Sequence, residues 1–150
     1  MAEKPSTSSS LSLLAIAGVQ PYKPKKTEEY MNEAQTAHFR KILTAWHAQI
    51  MEEAERTKIQ MQDEVAHFAD PSDRATQEEE FSLELRNRDR ERRLLKKIEQ
   101  TLQRLSEDDY GFCDACGVEI GLRRLEARPT AELCIDCKTL AEIREKHIGR

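Results

Sequence analysis

Four cysteines carry the clearest chemistry in this chain. Two residues separate Cys113 from Cys116, two separate Cys134 from Cys137, and seventeen lie between the pairs. Thiolates are soft ligands, and two of them on one tight turn can occupy adjacent corners of a tetrahedron. A second such turn closes the coordination sphere. The spacing therefore predicts one structural zinc ion, with every position taken by protein and none left open for catalysis. The competing chemistry is a redox-active dithiol, but no strand–helix–strand pattern surrounds either Cys-x2-Cys. All four cysteines fall within 25 residues, which suits a reducing cytoplasm better than a disulfide framework.

A second group of candidates is acidic. Asp70-Pro71-Ser72-Asp73 places one carboxylate at a helix N-cap, proline at the first helical position and another carboxylate at the third. Both acids favour the positive end of the helix dipole, and proline loses nothing where the N–H has no partner. Capping alone accounts for both aspartates. A hairpin needs only one cap, however, and Asp73 sits beside Ala75 where a long helical segment begins, so a functional acidic tip stands as the other reading.

These residues need elements to hold them. From Lys25 to Tyr110 there is no glycine and a single proline, Pro71, so two long stretches are free to be helical. In the first, Phe39, Leu43, Trp46, Ile50, Ala54, Thr57, Met61, Val65 and Phe68 step by three or four residues. In the second, Phe81, Leu85, Leu95, Ile98, Leu102 and Leu105 do the same, with Arg88 and Arg92 between. Narrow apolar seams on strongly charged helices predict an antiparallel coiled-coil hairpin, mainly α, with each arm spanning roughly 50 Å at the α-helical rise. The expected organisation is an N-terminal segment (1–33), the coiled coil (34–108, tip at 69–76) and a cysteine module (109–150). Lys138 to His147 reads as a closing helix with Leu140 and Ile143 facing inward. Leu11 to Val19 reads as a short helix at the hairpin base, without a legible partner.

Composition narrows the function classes. Charged residues make up 35% of 150 residues, the net charge is −4, and Leu, Ile, Val and Phe together number only 30. Such a chain cannot bury a large enzyme core around a deep pocket. Nothing approaches the ~20 apolar residues of a membrane span, and the leading segment lacks a convincing secretory pattern. Residues 52–84 carry a balance of −8 and residues 86–104 one of +5. Such runs are ordinarily solvated faces, although an acidic tip with a basic stem would also complement a metal- and base-lined channel. Arg86, Arg88, Arg90, Arg92 and Arg93 could form a phosphate stripe, but they spread around the helix and no aromatics interleave them, which disfavours direct DNA binding. The four histidines show no ligand spacing.

The pattern Cys113-Asp114-x-Cys116-x3-Ile120-x3-Arg124-x4-Pro129-x4-Cys134-x2-Cys137 resembles the zinc finger of the DksA/TraR family of bacterial transcription factors. Asp70-x2-Asp73-x-Ala75 resembles the tip motif of the family members that have both helical arms, and the likeness covers essentially the whole chain. It implies a non-enzymatic regulator that binds RNA polymerase directly and inserts its coiled coil into the secondary channel. With guanosine tetraphosphate (ppGpp), such a regulator destabilises open complexes at ribosomal RNA promoters and favours some amino-acid biosynthetic promoters. It further implies that Asp70, Asp73 and Ala75 act at the tip and that Lys97, Arg128 and Lys138 bind ppGpp together with polymerase. Asn87, Arg90 and Leu94 would touch the polymerase rim. The implied protein is cytoplasmic, monomeric when bound, and needs neither a membrane nor a DNA sequence. The rivals are a secondary-channel transcript-cleavage factor, a zinc-ribbon DNA-binding protein and a purely structural coiled-coil adaptor.

Overall fold

Proline at position 71 begins one of two long helices. The computed structural model describes the backbone of residues 8–66 and 71–148, and the side chains of 13–63 and 75–148. Its elements are α1 (Ser8–Ala17), α2 (Glu33–Ala66), α3 (Pro71–Ser106), α4 (Leu122–Ala127) and α5 (Ile135–Ile148). Among the described residues the fold is all helix and loop, apart from an isolated antiparallel bridge between Phe112 and Glu119.

Local chemistry sets the helix ends. Asn32 Oδ1 accepts the Gln35 N–H at 2.9 Å, while Gln35 Oε1 accepts the Met31 N–H at 2.7 Å. The pair is a variant of the capping box, in which asparagine caps the helix and glutamine reaches back one residue further, to the N–H before the cap. At the other end of α3, the Asp109 N–H reaches the Arg104 carbonyl at 2.9 Å and the Asp108 N–H reaches Leu105. Asp108 takes φ +57° to make this possible. The result is a Schellman cap built on aspartate instead of glycine.

The chain divides into two compact units, residues 1–46 with 100–150, and residues 47–99. In the first unit, Phe39, Ile42, Leu43, Leu105 and Leu125 are fully buried. Phe39 packs on Tyr110 with ring centroids 5.7 Å apart. Arg40 donates to Ser106 across α2 and α3. Helix α1 finds its partner in α4 and buries Leu14 and Ala17.

In the second unit α2 and α3 run antiparallel, with His47 Nε2 2.9 Å from Glu99 Oε2 and, farther along, Lys58, Met61 and Gln62 facing Phe81, Leu85 and Arg88. The seam differs here from the expected one. Gln77, Phe81, Glu84, Arg88, Glu91 and Leu95 are half-buried on α3, with Leu94 beside the last of them, whereas Leu85 and Arg92 are exposed. These residues follow the alternating four-and-three step of a heptad, so α3 turns polar side chains into its seam and keeps Leu85 at the seam's solvent edge.

Helix α5 also departs from expectation. Leu140 is 52% and Ile143 47% exposed, and α5 has no buried residue. The buried positions between 109 and 134 are Tyr110, Gly111, Cys113, Ile120, Leu125, Glu126, Pro129 and Cys134, and α5 itself offers only the half-buried Cys137, Lys138 and Ala141.

Candidate metal centre

Each cysteine pair sits on a turn that its neighbours enforce. In the first, the Gly117 N–H donates to the Cys113 carbonyl at 2.9 Å and the Cys113 N–H to the Val118 carbonyl at 2.8 Å. Gly117 adopts φ +81°, which side-chain-bearing residues rarely reach, so the glycine after Cys116 makes the knuckle possible. In the second, Cys134 immediately precedes α5 and Cys137 lies in its first turn. There the Cys137 N–H points at Cys134 Sγ, 3.5 Å away.

The four sulfurs lie within 4.8 Å of one another, with Cys116 Sγ 3.7 Å from Cys134 Sγ. A tetrahedron with metal–sulfur bonds of about 2.3 Å has sulfur–sulfur edges of roughly 3.8 Å, so the cluster has the dimensions of a four-thiolate zinc site. Its electrostatics fit too. Backbone N–H groups, that of Cys134 foremost, draw the Cys113 thiol down to about 6, while the neighbouring sulfurs push Cys137 up to about 12. Four thiolates this close repel one another, and a divalent cation removes the conflict. The cysteines fit one structural zinc ion, held by Cys113, Cys116, Cys134 and Cys137.

Several supports have no signature in the cysteine pattern. The Asp114 N–H donates to the Glu132 carbonyl at 2.8 Å and stitches one knuckle to the approach of the other. Arg124 Nε holds the Leu133 carbonyl at 3.0 Å, just before Cys134. Tyr30 Oη donates to the Gly111 carbonyl at 2.7 Å and accepts the Gly121 N–H at 3.0 Å, bracketing the first knuckle. Gly111, at φ +96°, must stay bare, because a Cβ there would lie 3.0 Å from Met31 Cγ and 3.1 Å from Tyr30 Oη. Glu126, only 2% exposed, accepts the Tyr22 N–H at 2.8 Å, meets His38 Nε2 at 2.8 Å and pairs with Arg123. The N-terminal loop is thereby tied to α2 and α4.

Asp70 falls outside the described residues, as does the side chain of Asp73, although position 73 lies within α3. Ala75 is exposed in the second turn of that helix. Asn87, Arg90 and Leu94 share one face of α3 by their spacing of three and four, the first two exposed and Leu94 half-buried. Lys97 belongs to the unit formed by 47–99, Arg128 and Lys138 to the other. Arg128 is exposed where α4 ends, and Lys138 is half-buried in the first turn of α5, its N–H on the Cys134 carbonyl.

Two family profiles cover almost all of this architecture. "DnaK suppressor protein DksA, N-terminal domain" matches residues 35–105, and "Prokaryotic dksA/traR C4-type zinc finger" matches residues 108–142. The chain belongs to the DksA family. It is 74% identical over 140 residues to the RNA polymerase-binding transcription factor DksA of Haemophilus influenzae, covering 93% of this chain and 97% of that one. To the Escherichia coli K12 protein of the same name it is 70% identical over 141 residues, covering 94% and 93%. Among solved structures, transcription factor DksA2 from Pseudomonas aeruginosa superposes with a TM-score of 0.76 at 38% identity, over 91% of this chain and 99% of that one. The mainly helical fold and the four-cysteine zinc finger are family features, carried here by the residues just described.

Proposed function

We propose that this protein is a bacterial transcription regulator that binds RNA polymerase directly and acts through the tip residues, 69–76, inside the polymerase secondary channel. The observation that carries this reading is the 70% and 74% identity, over nearly full length, to chains named as RNA polymerase-binding transcription factors. The zinc centre supports it as scaffolding, because a closed four-thiolate site can fix a fold but offers substrate no coordination position.

In this reading Asp70, Asp73 and Ala75 form the working tip. Aspartate keeps its charge close to the backbone, so a carboxylate on a helix start can be aimed at Mg²⁺ or at basic side chains near a polymerase active site. The acidic run over 52–84 favours entry to such a channel, and the basic run over 86–104 favours its rim. Asn87, Arg90 and Leu94 would then make the rim contact. Guanosine tetraphosphate carries two diphosphates and needs several cations; Lys97, Arg128 and Lys138 supply this chain's share, with polymerase providing the rest. The consequence is weaker open complexes at ribosomal RNA promoters and gain at some amino-acid biosynthetic promoters. The protein works in the cytoplasm, as a monomer when bound, without a DNA sequence of its own. No helix among the described residues is long and apolar enough to cross a membrane.

Site-specific photocrosslinking from position 75 tests the placement. A benzophenone side chain replacing Ala75 should crosslink to active-site elements of the largest polymerase subunits, and unmodified protein should compete the adduct away. Crosslinks confined to the outer surface of polymerase, with binding intact, would contradict channel entry. A shift of promoter DNA without polymerase, weakening steeply with salt, would favour the DNA-binding alternative.

A further inference from the structure

Arg104 stands in the last turn of α3, nine residues before the first cysteine. Each nitrogen of its guanidinium meets a different carboxylate. Nη2 lies 2.8 Å from Asp114 Oδ1, Nε 3.7 Å from Asp109 Oδ2 and Nη1 3.7 Å from Glu132 Oε2. The side chain is 24% exposed, so water screens this cluster only in part. Two of the acids are attached to the metal-binding turns. Asp114 directly follows Cys113, and Glu132 precedes Cys134 by two residues. The backbone that carries Arg104 is held as well, because its carbonyl accepts the Asp109 N–H that caps α3.

We propose that Arg104 is a positioning residue of the zinc centre: it clamps the two cysteine knuckles to the end of α3, and zinc retention depends on the clamp. Geometry gives the first reason. A planar guanidinium can engage two or three carboxylates at once in fixed directions, which an ammonium cannot. Charge gives the second. Four thiolates on one divalent ion leave a double negative charge, and Asp114 and Glu132 add to it along the same two turns. A cation locked between those turns offsets their repulsion where the knuckles must converge. Second-shell partners of this kind change metal affinity by roughly 10–100-fold when removed.

The test is zinc release from the full-length, zinc-loaded protein into excess 4-(2-pyridylazo)resorcinol. Arg104→Gln should release zinc about tenfold faster than wild type, and Arg104→Lys should fall between them. Asp114→Asn should also accelerate release, and the double variant should be no faster than the faster single one, since both remove the same contact. Arg40→Gln removes the neighbouring 3.3 Å bond to Ser106 at the same end of α3 without touching a knuckle, so it should leave the rate unchanged. Wild-type release from Arg104→Gln would overturn the proposal. So would equal acceleration by Arg40→Gln, which would mean that any loosening of the α3 end suffices, or rates that multiply in the double variant. If Arg104→Gln does not fold, Asp114→Asn decides, and an unchanged rate there overturns the clamp.

Discussion

Tyr110 donates its hydroxyl proton to the carbonyl of Pro129 across 2.7 Å. The same ring packs on Phe39 of α2, so one side chain joins the helical core to the segment between the knuckles. Burial pushes its phenol well above the usual range, and the hydroxyl stays a donor throughout ordinary pH. Tyr110→Phe should lower the stability of the 1–46 and 100–150 unit by about 1–2 kcal/mol, the result of leaving a buried carbonyl without its donor. Phe39→Ala, at a fully buried position, should cost about 3–5 kcal/mol. Urea unfolding followed by tyrosine fluorescence would rank the two.

Zinc removal should act locally. With strong chelator, or in Cys134→Ser, hydrogen exchange should accelerate across 109–134 and the start of α5. Residues 47–63 and 75–99 should keep their protection, since their hydrogen bonds are intrahelical. Uniform loss of protection over both segments would show the zinc module to be essential for the whole fold.

The N-terminal loop should loosen in acid through Glu28. Its carboxylate is held down to about 2, mainly by the Lys25 N–H and then by the hydroxyl of Tyr22 and the amide of Gln35. A depressed pKa means that the stabilisation is present above the unfolded value of 4.5 and drains away as pH falls from there toward about 2. The free energy of unfolding should fall across that window in wild type and lose that share of its pH dependence in Glu28→Gln.

The polar seam should be improvable. Glu91 Oε1 is shielded from water and has no hydrogen-bond partner among the described residues, as is also true of Gln77 Oε1. Glu91→Leu removes that burden and should stabilise the 47–99 unit by about 1–3 kcal/mol. A lower urea midpoint in Glu91→Leu would mean that the carboxylate contributes more than it loses by burial.

Some of this was legible in the residues and some was not. Cys-x2-Cys twice over specified the metal site because its ligands are local in pairs, and Pro71 marked the start of α3 because proline is tolerated there. The seam of α3 departs from its apolar pattern at Leu85 and Arg92 for a physical reason. Leu85 looks like a seam residue, yet the heptad step from Phe81 to Leu95 passes through Glu84, Arg88 and Glu91. Helix α5 misled in the opposite direction, since Leu140 and Ile143 have helical spacing but stay exposed. The anchors of the N-terminal loop could not be seen at all: Tyr22 meets Glu126 across 104 residues and Tyr30 meets Gly111 across 81. Single-residue hydrogen bonds over such separations leave no periodic trace. Asn32-x-x-Gln35 was different, a local capping signature that could have been read.

Regulation of polymerase by the acidic tip is open to a decisive test in single-round transcription from a ribosomal RNA promoter. Purified polymerase would be assayed with the wild-type protein and with Asp73→Asn, each with and without ppGpp. Wild type should inhibit, and more deeply with ppGpp, while the variant should still bind polymerase but no longer inhibit. Equal inhibition by the two proteins would reduce Asp73 to a helix cap and contradict the tip mechanism.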